Sequence, residues 1–317
     1  MNGFRIPIGD WVAAAIDWVK DNLEWMLNTI RYVVSFLVDG LTQLLLTPHF
    51  LIVILLASLI AWLVTSWKLA IGTAVSFLLI VSMGLWVPAM QTLSLVLVAA
   101  LIALLIAIPL GIWSARNATV RAVMKPILDF MQTMPAMVYL IPAIVFFSIG
   151  VVPGLVATVI FSLPPGVRLT ELGIRGVDSE TVEAGKAFGA TPGQILRGIQ
   201  LPLAMPTIMA GVNQVIMLAL SMAVIAGMAG ADGLGKLVVG AISTLDTAEG
   251  VEAGLAVVLI AVFLDRVTAA LGNPGAQSSS LFGMLSRRSA QQRRETAAAK
   301  AEADAEDAAP AQELQRT

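Results

Sequence analysis

The sequence predicts an all-α integral membrane protein of about seven spans, and three observations predict that class. Of 317 residues, 58% are hydrophobic and only 13% charged, and the mean hydropathy is +0.87, beyond what a water-facing surface tolerates. The apolar residues gather in blocks of about 20, the length that crosses a hydrocarbon core roughly 30 Å thick. Lysine and arginine fall between these blocks, on alternate connections.

From the N-terminus, "MNGFRIPIGDWVAAAIDWVK" lacks a basic start, a clean apolar stretch and a small-residue cleavage site, so no cleaved leader is expected. Residues 1–48 are expected to form an extracytoplasmic, interfacial region. Trp11, Trp18 and Trp25 recur every seven residues with Asp10, Asp17, Asp21 and Glu24 between them, the pattern of an amphipathic helix. Such a helix either lies in the membrane interface or packs against the outer ends of the spans. "RYVVSFLVDGLTQLLL" (31–46) resembles a span, but Asp39 and Gly40 in its middle argue against one.

Spans are expected at 49–67, 69–87, 89–113, 127–150, 151–167, 204–229 and 251–271, together a membrane domain over 49–272. The fifth is short and bounded by prolines. One set of connections holds Lys68, Arg116, Arg121, Lys125, Arg168, Arg175, Lys186 and Arg197, and the other only Lys236. Basic loops stay cytoplasmic, so this asymmetry puts residues 171–202 and the C-terminus inside. After Leu271 the composition turns polar and low in complexity, so 273–317 reads as a solvated cytoplasmic tail, with Arg287, Arg288, Arg293 and Arg294 open to lipid contact.

Several chemistries are excluded by composition. With no cysteine and one histidine, His49, there is no thiolate or histidine metal cluster and no cysteine nucleophile. Gly230, Gly235 and Lys236 in "GADGLGKL" imitate a phosphate-binding loop, but Leu237 replaces the hydroxyl that magnesium needs and no strand precedes it. The string reads as a glycine-rich turn ending a span, and no nucleotide site is expected. Gly150 and Gly154 have the spacing of a helix-dimerisation pair, which Pro153 interrupts in favour of a turn. Asp129, Asp265 and Arg266 are expected at cytoplasmic span ends, leaving no ionisable group at midplane and arguing against an ion-driven carrier.

The least oily stretch inside the membrane domain is "EAGKAFGATPGQILRGIQLP", residues 183–202. Asp178 or Ser179 caps a short helix that Gly189 ends in a left-handed conformation. Thr191 and Pro192 then start a second helix, expected at 192–200 and closed by Pro202. Gly185, Gly189 and Gly193 recur every four residues and leave a bare surface for another backbone. A capped two-helix elbow suits docking better than a plain loop does.

Glu183, Ala184, Gly185, Gly189, Ile199, Leu201 and Pro202 carry the spacing Glu-Ala-small-x3-Gly-x9-Ile-x-Leu-Pro. That spacing resembles the EAA loop of ABC importer permeases, with Gly185 standing where alanine is usual. "QTMPAMVYLIPAIVFFSIGVVPG", "FSLPPGVRLTELGI" and "LPLAMPTIMAGVNQVIMLALSMAVIAGM" extend the resemblance over a core at 85–272 and are similar to the ProU-type permeases of glycine betaine/proline betaine uptake. The resemblance implies a helical, type I, binding-protein-dependent importer domain in the inner membrane. It implies as partners a second permease copy, two cytoplasmic ATP-binding subunits and a periplasmic or lipid-anchored substrate-binding protein, with membrane lipid around the chain and no nucleic acid. ATP would sit on the partner subunit, leaving this chain without a cofactor or catalytic residue of its own. The elbow would be the coupling helix, with Glu183 meeting a basic or amide group on the ATPase.

A quaternary ammonium is best held by an aromatic cage, yet the chain has only Tyr32 and Tyr139, and its tryptophans lie near the interfaces. Selectivity is therefore expected in the separate binding protein. Polar residues inside spans, Gln132, Thr133, Tyr139, Asn213, Gln214 and Ser221, are candidates either for a translocation path or for helix-to-helix hydrogen bonds. Pro135 and Pro142 flank Tyr139 and kink the fourth span, either as a gate or as a plain bend. Two rival functions are an ion-coupled transporter, which needs midplane carboxylates or repeated halves, and a non-transporting anchor for a cytoplasmic ATPase.

Overall fold

The computed structural model describes residues 7–272, which form helices and turns with no strand among them. Two helices lead in, α1 (Ile8–Asn22) and α2 (Glu24–Leu46). Trp11, Trp18 and Trp25 are each more than half exposed, so the tryptophan stripe is not what packs this region onto the bundle.

α2 departs from the sequence reading. It is one unbroken helix, long and apolar enough to cross a membrane, and it buries Leu27, Val34 and Val38, packing chiefly on α5 (Trp86–Arg116). Asp39 stays exposed, and the Arg31 guanidinium donates to the Phe147 carbonyl oxygen at 3.2 Å. A partnered charge and a surface carboxylate are compatible with an apolar helix in a way that unpartnered buried ones are not.

The expected spans 49–67 and 69–87 are shorter than supposed. α3 (Phe50–Val64) and α4 (Trp67–Ser82) have 15 and 16 residues and pack on each other as a hairpin. At about 1.5 Å per residue each falls short of a core roughly 30 Å thick. Caps set their starts: His49 Nδ1 accepts the Leu51 N–H at 3.4 Å and Ser66 Oγ that of Leu69 at 3.4 Å. His49 is thus a cap.

α5 covers the expected third span. The fourth, 127–150, is broken: α6 (Ala118–Thr133) starts at an Asn117 cap, and after a 3-10 turn at Ala136–Tyr139 comes α7 (Leu140–Phe147), bent from α6 by 107°. Pro135 forces the preceding residue out of helical space, and Met134 accordingly sits at ψ 132°. α8 (Val151–Arg175) overruns the expected end at 167 and passes through buried Pro164 and Pro165, so residues 171–175 belong to a helix and not to the loop. Neighbouring helices hold it there. α8 packs most extensively on α11 (Leu201–Ala226) and α5, through small buried groups such as Ala157, Ser162, Gly166, Ala107 and Ala219.

Between α8 and α11 lie α9 (Ser179–Ala187) and α10 (Pro192–Ile195). Beyond α11 and a 3-10 turn at Gly227–Ala229, the glycine-rich string is not merely a turn: it opens α12 (Leu234–Thr244), and α13 (Thr247–Gly272) follows. Gly235 lets α12 press on α11, since a Cβ there would lie 2.6 Å from the Val224 carbonyl oxygen. The Leu234 N–H donates to buried Thr92 Oγ1 at 2.8 Å. These glycines serve close packing.

Among the described residues, five helices are long and apolar enough to cross a membrane, α2, α5, α8, the run Pro192–Ala229 and α13; the bent pair α6–α7 makes up to six. The expected tail and its arginines lie outside the described residues.

Candidate coupling and translocation site

The elbow forms from local chemistry. Asp178 caps α9, its carboxylate accepting the Glu180 N–H at 3.0 Å. At the other end Gly189 takes φ +79°, the Gly189 N–H donates to the Lys186 carbonyl at 2.9 Å and the Ala190 N–H to Gly185 at 3.1 Å. This pair of bonds closes a helix around a left-handed residue, which glycine adopts without a Cβ penalty. Two residues later Thr191 and Gln194 form a capping box: the Gln194 N–H donates to Thr191 Oγ1 at 3.4 Å and the Thr191 N–H to Gln194 Oε1 at 2.8 Å.

The second arm of the elbow differs from expectation. Residues 192–200 are not a separate short helix ended by Pro202. α10 runs through one wide π-turn, Leu196–Gln200, straight into α11, with the Leu201 N–H donating to the Leu196 carbonyl. A wide turn removes the clash a proline ring makes with the carbonyl four residues back, so Pro202 sits inside the helix. The elbow's second arm is therefore the end of a rod running from Pro192 to Ala229.

The glycine row is also not one bare face. Gly185 points inward, where a Cβ would lie 2.7 Å from Ile199 Cδ1 and 3.6 Å from Ile195 Cγ1, while Gly189 and Gly193 have open space. The seven motif residues thus divide. Glu183, Ala184 and Gly189 are exposed; Gly185 and Ile199 hold the two arms together; Leu201 and Pro202 carry α11 onward. Because only the flexible tip of Ile199 must yield, Gly185→Ala is expected to leave stability within about 0.5 kcal/mol of wild type by thermal unfolding in detergent. Phe188, outside the seven motif positions, is 92% exposed beside Gly189. Its signal in the sequence is an aromatic residue in an otherwise polar loop.

The six polar candidates do not converge on one site. Asn213 Nδ2 donates to Asp265 Oδ1 at 2.9 Å, and Thr268 Oγ1 donates to Asn213 Oδ1, tying α11 to α13. For Asn213 the helix-to-helix reading therefore applies. Tyr139 is buried edge-on against Phe161, and its hydroxyl donates to the Met131 carbonyl across the break that follows α6. Thr133 and Ser221 bond carbonyls on their own helices, at 2.9 and 3.0 Å, and with Gln132 and Gln214 lie exposed on this chain.

Asp265 also departs from its expected place. It lies about two turns inside the end of α13, facing Asn213 in the middle of α11. Asn213→Leu is expected to destabilise the chain by about 1 kcal/mol, read as lower thermal stability in detergent, by leaving that carboxylate unpaired.

A family model for the binding-protein-dependent transport system inner membrane component matches residues 107–272. The chain belongs to that family, whose members are the membrane-spanning permease subunits of ABC importers; ATP hydrolysis resides on a separate subunit, and an ATPase and a substrate-binding protein are the family's partners. It is 49% identical over 265 residues to the glycine betaine transport system permease protein OpuAB of Bacillus subtilis, covering 83% of this chain and 94% of that protein. It is 46% identical over 267 residues to the glycine betaine/proline betaine permease protein ProW of Escherichia coli, covering 84% of this chain and 75% of that one. Among solved structures, an inward-facing MetNI methionine ABC transporter matches with a TM-score of 0.55 at 21% identity, over 61% of this chain and 97% of that chain. That likeness shows the shared fold; the family and the apolar helices make the chain a multi-pass inner-membrane protein.

Proposed function

We infer that this chain is the permease subunit through which a binding-protein-dependent ABC importer moves glycine betaine, proline betaine or a related compatible solute across the inner membrane. The observation that carries the reading is the capped elbow at Asp178–Gln194, which holds the motif of Glu183, Ala184, Gly185 and Gly189 at the foot of a helix continuous to Ala229. Its relatives of 46% and 49% identity are permeases named for these solutes, which supports the choice of cargo.

In this reading the elbow is cytoplasmic, as the basic connections favour, and two permease copies sit on two ATP-binding subunits. Exposed Phe188 and Glu183 offer an apolar ring and a charge to a groove on the ATPase, the combination that suits the centre and rim of an interface. Closure of the ATPase pushes on the elbow. Because the second arm has no break before the membrane, the push enters α11 as a rigid-body movement. The Asn213–Asp265–Thr268 bonds then carry α13 along with α11.

The test is reconstitution with the ATPase and binding-protein subunits and measurement of labelled glycine betaine uptake against ATP. Uptake that requires ATP and the binding protein supports the reading. Uptake that follows an ion gradient without ATP overturns it.

A further inference from the structure

The cavity of about 580 Å³ between α6 and α8 is charged and belongs to neither the elbow nor the polar candidates. Arg121, Lys125 and Asp129 line it from α6, one turn apart on a single face, and Arg168, Glu171 and Arg175 line it from α8. Two of its cations are neutralised: Arg168 pairs with Asp129 across the cavity, and Arg175 Nη1 meets Glu171 Oε1 at 3.1 Å. Arg121 and Lys125 make no ion pair among the described residues. Like charges four apart on a helix repel, and the cavity is left with two positive charges in excess.

The rim supplies a second, independent observation. Leu172 at the cavity edge is 61% exposed, and exposed Ala118 and Ala122 line the cavity on the α6 side, an apolar border within a basic pocket. A solute anion has no use for such a border. A headgroup with acyl chains does, and basic pockets between helices at the cytoplasmic side suit acidic lipid headgroups.

We propose that this cavity binds a phosphate-bearing anion, the headgroup of an acidic phospholipid, with Arg121 and Lys125 as its unneutralised ligands and the apolar edge at Leu172 against the chains. The proposal rests on the sidedness inferred above and on no other part of the transport reading.

The experiment uses the full-length chain, purified in detergent, titrated with phosphatidylglycerol or phosphatidylcholine and scored by native mass spectrometry for retained lipid. Wild type is expected to retain phosphatidylglycerol preferentially. Arg121→Gln combined with Lys125→Gln is expected to raise its half-saturation about thirtyfold, the worth of two basic groups near a membrane surface. Arg116→Gln, outside the cavity, is expected to change little. An unchanged affinity in the double variant, or an equal loss in the Arg116 variant, overturns the site. Displacement by inorganic phosphate at the lipid's own concentration keeps the pocket and assigns it to a soluble phosphate. Monodisperse elution of the double variant excludes unfolding, and transport failure with lipid preference intact bears on the importer reading alone.

Discussion

Gly189→Asp is expected to abolish ATP-driven uptake while leaving the chain folded and inserted. Residue 189 sits at φ +79° with open space around it, so nothing in the chain collides with a new side chain. Asparagine and aspartate tolerate left-handed backbone better than other non-glycine residues, which makes the pair Gly189→Asn and Gly189→Asp a controlled comparison of shape against charge. The aspartate would place an unpaired carboxylate at the tip of the elbow, next to exposed Phe188, where the proposed docking would bury it. An unpaired charge buried at an interface costs roughly 3 kcal/mol, about a hundredfold in retention of the ATPase. Co-purification of the ATPase and uptake by vesicles are the measurements. Gly189→Asn is expected to keep most of both, and equal loss in the two variants would move the cause from charge to backbone.

The second large effect is at the opposite end of the bundle. Gly235→Ala is expected to destabilise the chain by roughly 1–3 kcal/mol, because its methyl would stand 2.6 and 2.7 Å from the Val224 and Ala223 carbonyl oxygens. Backbone cannot rotate away as a side chain can, so α12 must lift off α11. Gly240→Ala, in the same helix with nothing within 4 Å, should instead stabilise by about 0.5 kcal/mol, the ordinary gain of alanine over glycine in a helix. Thermal unfolding in detergent reads both. Equal shifts would show that the contact between α12 and α11 does not matter.

Much of the elbow was legible because its signals are local. Asp178 before α9, Gly189 after it and the Thr191–Pro192 start each act within one turn, and each does in the fold what its chemistry dictates. The direction of Gly185 was not legible, since it depends on Ile199, which the fold brings back from 14 positions along the chain. The fate of Pro202 was hidden for a similar reason: a proline reads as a stop, and only the π-turn before it makes it harmless.

Sequence by itself determined the class, the location of the elbow and the absence of a cysteine-based or histidine-cluster site, because composition, hydrophobic block length and caps are properties of short stretches. Tertiary structure decided which helices are long. Asp39 and Gly40 failed to break α2, and Pro164 and Pro165 failed to end α8, whose neighbours pack around them; at Pro135 the segment bends sharply, by 107°. It also drew Asp265 in from an expected helix end to face Asn213, and gathered Arg121, Lys125 and Arg168 around one cavity. The physical reason is common to all of these. Inside a bundle the cost of a charge or a proline is set by the partner across the helix interface, and that partner lies far away along the chain.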